Sequence, residues 1–152
     1  PIIAAVNGPA IGAGTQLAIA CDLRVVDKRA KFAVPTAGNG MAVDAWTIRT
    51  LAELAGHGRA RRVLLAADSI DQTEAIGCGL ADRPGTLAEA ISWAHQIANL
   101  APLALAHNKL VVNGVLDDDE ISASFTAVWA SDDVKEASLA RAEKRTPIFK
   151  GI

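Results

Sequence analysis

The chain has 152 residues, which is the size of about one domain and long enough to bury a sizeable core. Hydrophobic residues make up 51% of it, charged residues make up 21%, and the formal net charge is -2. This charge balance argues against binding to nucleic acid or to an anionic membrane surface. No apolar stretch reaches the roughly 18 residues that a membrane span needs.

The first part of the chain predicts alternating strands and helices. Residues 2–6 form a continuous apolar run, which is typical of a strand buried on both faces. A glycine-rich loop over residues 8–14 follows, and small and apolar residues then predict a helix at 14–20. Two short strands are predicted around residues 25–26 and 31–34. This order is that of a βαβ-like unit, which places a helix N-terminus at the edge of a sheet.

The middle of the chain predicts three further helices and one strand. Helical spacing covers residues 43–55, and the Gly56-His57-Gly58 turn ends this helix. A second helix is predicted at 59–67, with arginines 59, 61 and 62 on a solvated face. Ser69 or Asp71 is expected to cap a third, short helix, and residues 80–83 return to strand.

Beyond Pro84 the sequence predicts helices almost throughout. Thr86 and Glu89 have the spacing of a capping box, and Pro102 fits a helix start. Acidic residues at 117–119 and 132–133 also mark helix N-termini, where negative charge suits the helix dipole. We therefore predict an α/β part over residues 1–84 and a helical region over residues 85–152.

The cysteines and histidines give no support for a metal site. Cys21 and Cys78 lie in apolar surroundings without metal-binding spacing, and we expect them to be buried thiols in a reducing compartment. The three histidines form no HExxH or similar pair. No metal and no separate cofactor are predicted.

One long motif carries a family resemblance. It reads PIIAAVNGPAIGAG at positions 1–14, then QLA at 16–18 and CDLR at 21–24. It resembles the pattern P-x-I-A-A-V-N-G-x-A-x-G-G-G-x-E-L-A, followed by C-D, of the crotonase superfamily, the enoyl-CoA hydratases and isomerases. Weaker matches extend along the chain at Lys31-Phe32, Pro35, Glu74-Ala75, Gly79-Leu80-Ala81, 101–104, 143–145 and Phe149.

The resemblance implies a fold, a ligand and an assembly. The expected fold is an α/β spiral of repeated ββα units with a C-terminal helical trimerisation region. The expected ligand is a coenzyme A thioester, bound by a cytoplasmic homotrimer or dimer of trimers. Family members carry a further segment before this point, so we expect the chain to be the C-terminal part of such a protein.

The glycine loop is the expected thioester-binding element. Proton transfer beside a thioester carbonyl puts negative charge on its oxygen, which preformed N–H donors stabilise. By the resemblance, the backbone N–H of Ala13, between Gly12 and Gly14, supplies one such donor where most members have glycine. The alternative interpretation is that the two glycines only permit a tight turn and close helix packing.

The residues expected to catalyse hydration are missing. In the hydratases two glutamates share the acid–base work, and by the resemblance their positions fall on Gln16 and on Thr36, which follows Pro35. Neither side chain can act as a carboxylate base. Standard hydratase chemistry is therefore not expected, although Gln16 can still orient a water or a carbonyl through hydrogen bonds.

Asp44 is the candidate base for a different reaction. By the resemblance it lines up with the aspartate that dienoyl-CoA isomerases use, and a desolvated apolar pocket would raise its pKa, as suits a base. The alternative is that Asp44 caps the helix that begins near residue 45. Two functions therefore stay open: a nearly inert acyl-CoA-binding protein, or an enoyl- or dienoyl-CoA isomerase.

Three more side chains complete the candidate site. Trp46 is expected to lie in the core or in the wall of an acyl tunnel. Phe149 and Lys150 correspond to a C-terminal pair that in the family can approach the nucleotide of coenzyme A. The alternative for Lys150 is an ordinary solvated side chain.

Overall fold

The computed structural model describes all 152 residues and divides into two compact units, Pro1–Trp93 and Ala94–Ile152. The first unit holds every strand, and helix α5 contains the boundary between the units. The predicted domain boundary after residue 84 stays a prediction. The elements in chain order are β1 (Ile3–Val6), β2 (Pro9–Ile11), α1 (Ala13–Ala20), β3 (Leu23–Val26), β4 (Lys31–Ala33), α2 (Ala45–Ala55), α3 (His57–Leu65), β5 (Ser69–Asp71), α4 (Gln72–Cys78), β6 (Arg83–Pro84), α5 (Leu87–Ala98), α6 (Pro102–Val112), α7 (Asp118–Ala130) and α8 (Asp132–Glu143).

The six strands form two three-stranded sheets. In the first sheet β3 lies between β1 and β6, and both pairings are parallel. In the second sheet β4 lies between β2 and β5, parallel to β2 and antiparallel to β5. Strands β1 to β4 thus alternate between the two sheets, and a helix follows each of the pairs β1–β2 and β3–β4. This arrangement agrees with the ββα units that the resemblance implies.

The core of the first unit lies around strands β3 and β4 and helix α2. The buried stripe of α2 consists of Thr47, Leu51 and Ala55, which are four residues apart and face the same way. The largest fully buried apolar side chains are Phe32, Leu51, Ile70, Leu80, Val25, Val26, Val34 and Val63.

The sequence analysis did not predict all of the short strands correctly. Strands β2 and β5 have three residues each, too few for an apolar alternation to appear in the sequence. The predicted strand at 80–83 is confined to Arg83–Pro84, while Leu80 is buried in the core without joining a sheet. Helix α3 begins at His57, immediately after Gly56, because the positive φ of Gly56 ends α2 without a longer turn.

One expectation about side chains is wrong. Cys21 and Cys78 are half-buried free thiols and not buried ones, and their Sγ atoms lie close to backbone carbonyls one turn earlier. The basic face of α3 is exposed at Arg59 and Arg61, as expected, and it also carries ion pairs. Arg59 and Arg62 both pair with Glu74, since α4 brings this carboxylate alongside α3.

The second unit is helical, as predicted. Asp117 caps α7 and Glu120 returns the bond, which completes a capping box, and Pro102 begins α6. The C-terminal residues are held by Asp133, which is buried and accepts the backbone N–H groups of Lys150 at 2.7 Å and Gly151 at 2.9 Å. None of the helices combines the length and the apolar character needed to cross a membrane.

Candidate functional site

The N-terminus of α1 presents unpaired backbone donors. Gly12 precedes the helix with φ of 56° and offers no side-chain cap, and its own N–H donates to Ala33 O at 2.8 Å. The N–H groups of Ala13 and Gly14 have no intrahelical acceptor, because they belong to the first turn. Both residues are exposed. The positive end of the helix dipole adds to the electrostatic attraction that these N–H groups exert on a ligand oxygen.

The two glycines of this loop have different roles. Gly12 lies in the left-handed region of backbone conformation, which most residues adopt only at a cost. A Cβ at Gly14 would meet Ala10 Cβ at 3.7 Å, an ordinary van der Waals distance. The turn therefore requires Gly12, while packing within the chain does not require Gly14.

The side chain of Thr15 connects the N-terminus of α1 to the second sheet through hydrogen bonds. Its fully buried hydroxyl lies 2.6 Å from Ala10 O and 3.0 Å from Ala33 O, and it accepts the N–H of Ala33 at 3.2 Å. One side chain thus joins β2, α1 and β4. Sequence reasoning missed this residue, and the only signal was a hydroxyl among small residues in a loop taken to bind a ligand.

Arg24 holds the C-terminal end of α1 in place through hydrogen bonds. Although charged, it is only 3% exposed and lies within strand β3. Its guanidinium donates to Cys21 O at 2.7 Å and to Leu80 O at 2.6 Å, and it reaches Ala18 O at 3.2 Å. It therefore satisfies carbonyls at the C-terminus of α1 that the helix leaves without donors. The sequence signal was a charged residue inside an apolar run.

Gln16 is the polar centre of the candidate site. It lies on α1 one turn after Gly12, and its side chain is half-buried. Nε2 donates to Asp44 Oδ2 at 2.8 Å and to Thr47 Oγ1 at 2.9 Å. The structure thus brings Gln16 and Asp44 together, which are 28 residues apart in the chain. Thr47, the third member, was not among the predicted site residues.

Asp44 caps helix α2, which confirms one of its two interpretations. Oδ1 accepts the backbone N–H of Thr47 at 3.0 Å, and Oδ2 accepts the Thr47 hydroxyl at 2.7 Å. The expectation of a raised pKa is wrong. The Thr47 backbone N–H, the Thr47 hydroxyl and the Gln16 amide lower the pKa of Asp44, because they stabilise its charged form more than burial of this exposed side chain opposes it.

The other predicted site residues of the first unit, which include Thr36 and Trp46, do not belong to the hydrogen-bonded group of Gln16, Asp44 and Thr47. Thr36 is half-buried after Pro35, and its carbonyl begins a 3₁₀ turn over Ala37–Asn39. Trp46 is 50% exposed, so it does not lie in the core, and the alternative that it lines the wall of an acyl tunnel stays a prediction. The reason is helical phase, since Trp46 precedes the buried Thr47 by one residue and therefore faces away from the stripe.

Phe149 and Lys150 belong to the second unit. Phe149 is half-buried and lines a small cavity of about 140 Å³ together with residues of α6, α7 and α8. The Lys150 backbone is held by Asp133, while the residue itself is exposed. Contact of this pair with a nucleotide stays a prediction.

An open groove lies along another face of α1. It measures about 550 Å³ and is lined along α1 by Gly14, Leu17 and Ala18, which share one face of the helix, and by Cys21 just after the helix. Gln16 is not among its lining residues. The groove is therefore distinct from the hydrogen-bonded group of Gln16, Asp44 and Thr47.

Comparisons with known proteins place this geometry in a family. A sequence model described as enoyl-CoA hydratase/isomerase matches residues 1–152. A Mycobacterium tuberculosis protein named "Probable enoyl-CoA hydratase" is 51% identical, and the match covers 99% of this chain and 64% of the relative. The short-chain-enoyl-CoA hydratase of Clostridium acetobutylicum is 32% identical over 95% of this chain and 59% of its own length.

Solved structures give the same result. An enoyl-CoA hydratase/isomerase family protein from Hyphomonas neptunium superposes with a TM-score of 0.90 at 31% identity, covering 100% of this chain and 62% of that one. An enoyl-CoA hydratase from Mycobacterium marinum gives 0.89 at 30% identity, covering 100% and 66%. The chain spans 59–64% of the length of the curated relatives described above. With its whole length matched by the family model and its spiral fold shared with these structures, the chain belongs to the enoyl-CoA hydratase/isomerase family.

Proposed function

We propose that this protein binds acyl-CoA thioesters and does not hydrate enoyl-CoA by the two-glutamate mechanism. The thioester carbonyl oxygen accepts a hydrogen bond from the Ala13 N–H, at the positive end of α1. The observation that carries the proposal is the first turn of α1, where unpaired amides stand one turn before Gln16. A preformed donor of this kind is the usual device for holding a thioester or an enolate oxygen.

The absence of a base at Gln16 supports the second half of the proposal. Hydration needs a group that takes a proton from water and a group that delivers one to carbon. Gln16 is a neutral amide, and both hydrogens of its nitrogen are engaged by Asp44 and Thr47. Thr36 has a hydroxyl with no carboxylate function. Binding groups are therefore retained at this site where acid–base groups are not.

An isomerase is the second candidate function, and one observation favours it. Asp44 is a carboxylate in direct contact with Gln16, so it stands within the candidate site. A single carboxylate suffices to move one proton between two carbons of an enoyl thioester. Its lowered pKa and its three hydrogen bonds make it a weak base, which is why this function is placed second.

The experiment uses the full-length protein and two assays on one sample. Calorimetry with decanoyl-CoA measures binding, and ultraviolet absorbance with crotonyl-CoA and a dienoyl-CoA measures hydration and isomerisation. The proposal predicts saturable binding without hydration. Isomerisation that falls by orders of magnitude in Asp44→Asn, with binding retained, would instead establish the second function. Absence of acyl-CoA binding would contradict both.

The assembly and location belong to the proposal as well. We propose a homotrimer or a dimer of trimers in the cytoplasm, as the family resemblance implies. Exposed apolar side chains on the helices of the second unit, among them Val112, Phe125 and Trp129, support an assembly. Apolar side chains at such positions are typical of surfaces covered by another subunit.

A further inference from the structure

The first turn of α1 is held on both sides of its free amides by one residue of strand β4. Gly12 donates its backbone N–H to Ala33 O at 2.8 Å. The Thr15 hydroxyl lies 3.0 Å from the same oxygen and accepts the Ala33 N–H at 3.2 Å. Ala13 and Gly14 stand between these two contacts. The donors proposed to meet the ligand are therefore flanked by bonds to a single position of the second sheet.

The single hydrogen of the Thr15 hydroxyl decides what it does toward each neighbour. Its shortest contact is with Ala10 O at 2.6 Å, so the hydrogen is donated there. Toward Ala33 the hydroxyl oxygen then serves as an acceptor. The side chain is fully buried, so both bonds are made inside the protein. Thr15 thus ties α1 to β2 and to β4 at the same time.

No capping side chain fixes the start of α1 in the usual way. Gly12 occupies the N-cap position and makes no side-chain hydrogen bond. Thr15 follows Ala13 by two residues, which is about 3 Å along the helix axis. Over so short a distance the helical backbone moves as one piece, so the direction of the Ala13 N–H depends on the bonds of Thr15. A hydrogen bond weakens steeply when its donor is misaligned.

We propose that Thr15 is a positioning residue for the Ala13 N–H and thereby sets how strongly the site distinguishes a thioester carbonyl from a chain that lacks one. This inference rests on the proposed function, in which the Ala13 N–H holds the carbonyl oxygen. Thr15 is buried and does not touch the ligand, so it acts only through the direction of the amide. Loss of its hydroxyl weakens the bond to the carbonyl and leaves the contacts of the acyl chain and of coenzyme A unchanged.

The test compares two ligands on the full-length protein by calorimetry: decanoyl-CoA, and decyl-CoA, the thioether in which a methylene replaces the carbonyl. Their affinity ratio cancels the contacts that the two ligands share and the fraction of protein that is folded. In the unmodified protein decanoyl-CoA is expected to bind about five- to tenfold tighter, the effect of one hydrogen bond. Thr15→Val keeps the shape and removes the hydroxyl, so this ratio is expected to fall about threefold or more.

Two variants separate positioning from a loss of stability. Thr15→Ser keeps the hydroxyl and is expected to preserve the ratio. Ile19→Val removes one methylene from another buried side chain of α1, so it disturbs the packing of this helix and is expected to leave the ratio unchanged. A ratio that falls equally in Ile19→Val and Thr15→Val would overturn the inference, because it would trace the effect to loosening of the helix as a whole.

A second pair covers the case in which Thr15→Val does not fold. Thr15→Cys and Thr15→Ser differ by one atom, and the thiol is a weaker donor and acceptor than the hydroxyl. The ratio is expected to be lower in Thr15→Cys, and equal ratios in this pair would overturn the inference.

The outcomes also separate this inference from the proposed function. An unchanged ratio in folded Thr15→Val overturns the role of Thr15 alone and leaves the binding of the carbonyl by Ala13 intact. Equal affinities for the two ligands in the unmodified protein remove the carbonyl contact itself. If neither ligand binds to the unmodified protein, the proposed function fails. In both of these last cases the inference fails with it.

Discussion

The hydrogen bonding of the candidate site depends on the neutral amide side chain of Gln16. Its amide fits between an ionised carboxylate and a hydroxyl that can only accept, so both neighbours require a donor at that place. A glutamate there would meet the Asp44 carboxylate directly. Restoring the acid of the hydratases is therefore incompatible with Asp44 in its present ionised state.

Gln16→Glu is predicted to destabilise the protein in a pH-dependent way. The like charge of Asp44 raises the pKa of the new carboxyl in the folded state above its value in the unfolded chain. A raised folded-state pKa means that stability is highest below about pH 4.3 and falls as the pH rises through the folded-state pKa. Urea unfolding between about pH 4 and pH 7, relative to the unmodified protein, measures this loss.

The control is the double variant Gln16→Glu with Asp44→Asn. Asparagine remains a good helix cap, and its amide can donate to the introduced carboxylate. The pH-dependent loss is then expected to disappear, which is a coupling that a double-mutant cycle measures. Parallel pH profiles for the single and the double variant would show that the two side chains do not interact.

Asp44 marks the limit of sequence reasoning at this scale. Its place just before an apolar helix predicts a cap, and the structure confirms this. Its pKa could not be inferred correctly, because the direction depends on hydrogen bonds from Thr47 and from Gln16, which is distant in the chain. Only the fold brings these donors to the carboxylate.

At the scale of elements, helix α1 is fixed at both ends by side chains buried beneath it. Thr15 joins its start to β2 and β4, and Arg24 satisfies carbonyls at its end. The amides proposed to bind the thioester belong to the first turn of this helix. Their position therefore depends on contacts that are not themselves part of the site.

Thr15→Val is predicted to reduce the free energy of unfolding by about 1–3 kcal/mol, the usual cost of leaving buried polar groups unpaired. Valine has nearly the same shape, but it leaves Ala10 O and the Ala33 N–H without their partner. Urea denaturation measures the loss, and Thr15→Ser, which keeps the hydroxyl, is expected to recover most of it. Equal stability of the valine and serine variants would show that packing alone fixes this helix.

Sequence patterns predicted the longer elements and missed the shortest ones. Helices α1 and α2 and strand β1 follow from apolar runs and spacing. The three-residue strands β2 and β5 form because neighbouring strand β4 supplies partners on both sides. Pairing with a distant strand leaves no periodic signal in so few residues.

At the scale of the whole molecule, the family motif in the sequence predicted the spiral fold. No sequence pattern predicted the ion pairs of the helical unit. Glu136 on α8 binds Arg145 through both carboxylate oxygens and accepts the backbone N–H of Ile148 at 2.8 Å. These contacts lower its pKa to about 2, with Arg145 as the largest cause. They hold the segment after α8 to that helix.

Glu136→Gln is predicted to destabilise this unit at neutral pH and to make little difference in acid. A lowered folded-state pKa means that the stabilisation is complete above the ordinary value of 4.5 and is lost as the pH falls toward about 2. The gap in unfolding free energy between variant and parent should therefore close over that range. Glu143→Gln, which removes a more exposed partner of Arg145, is expected to cost less. A gap independent of pH would contradict this account.

The central claim is that the site binds acyl-CoA without hydrating it, and one measurement tests it most directly. The full-length protein is titrated with crotonyl-CoA in a calorimeter, and the same sample is followed for loss of the enoyl double bond by ultraviolet absorbance. We predict a saturable heat of binding and no loss of the double bond beyond that in buffer. Hydration with multiple turnovers, or the absence of any binding heat, would contradict the claim.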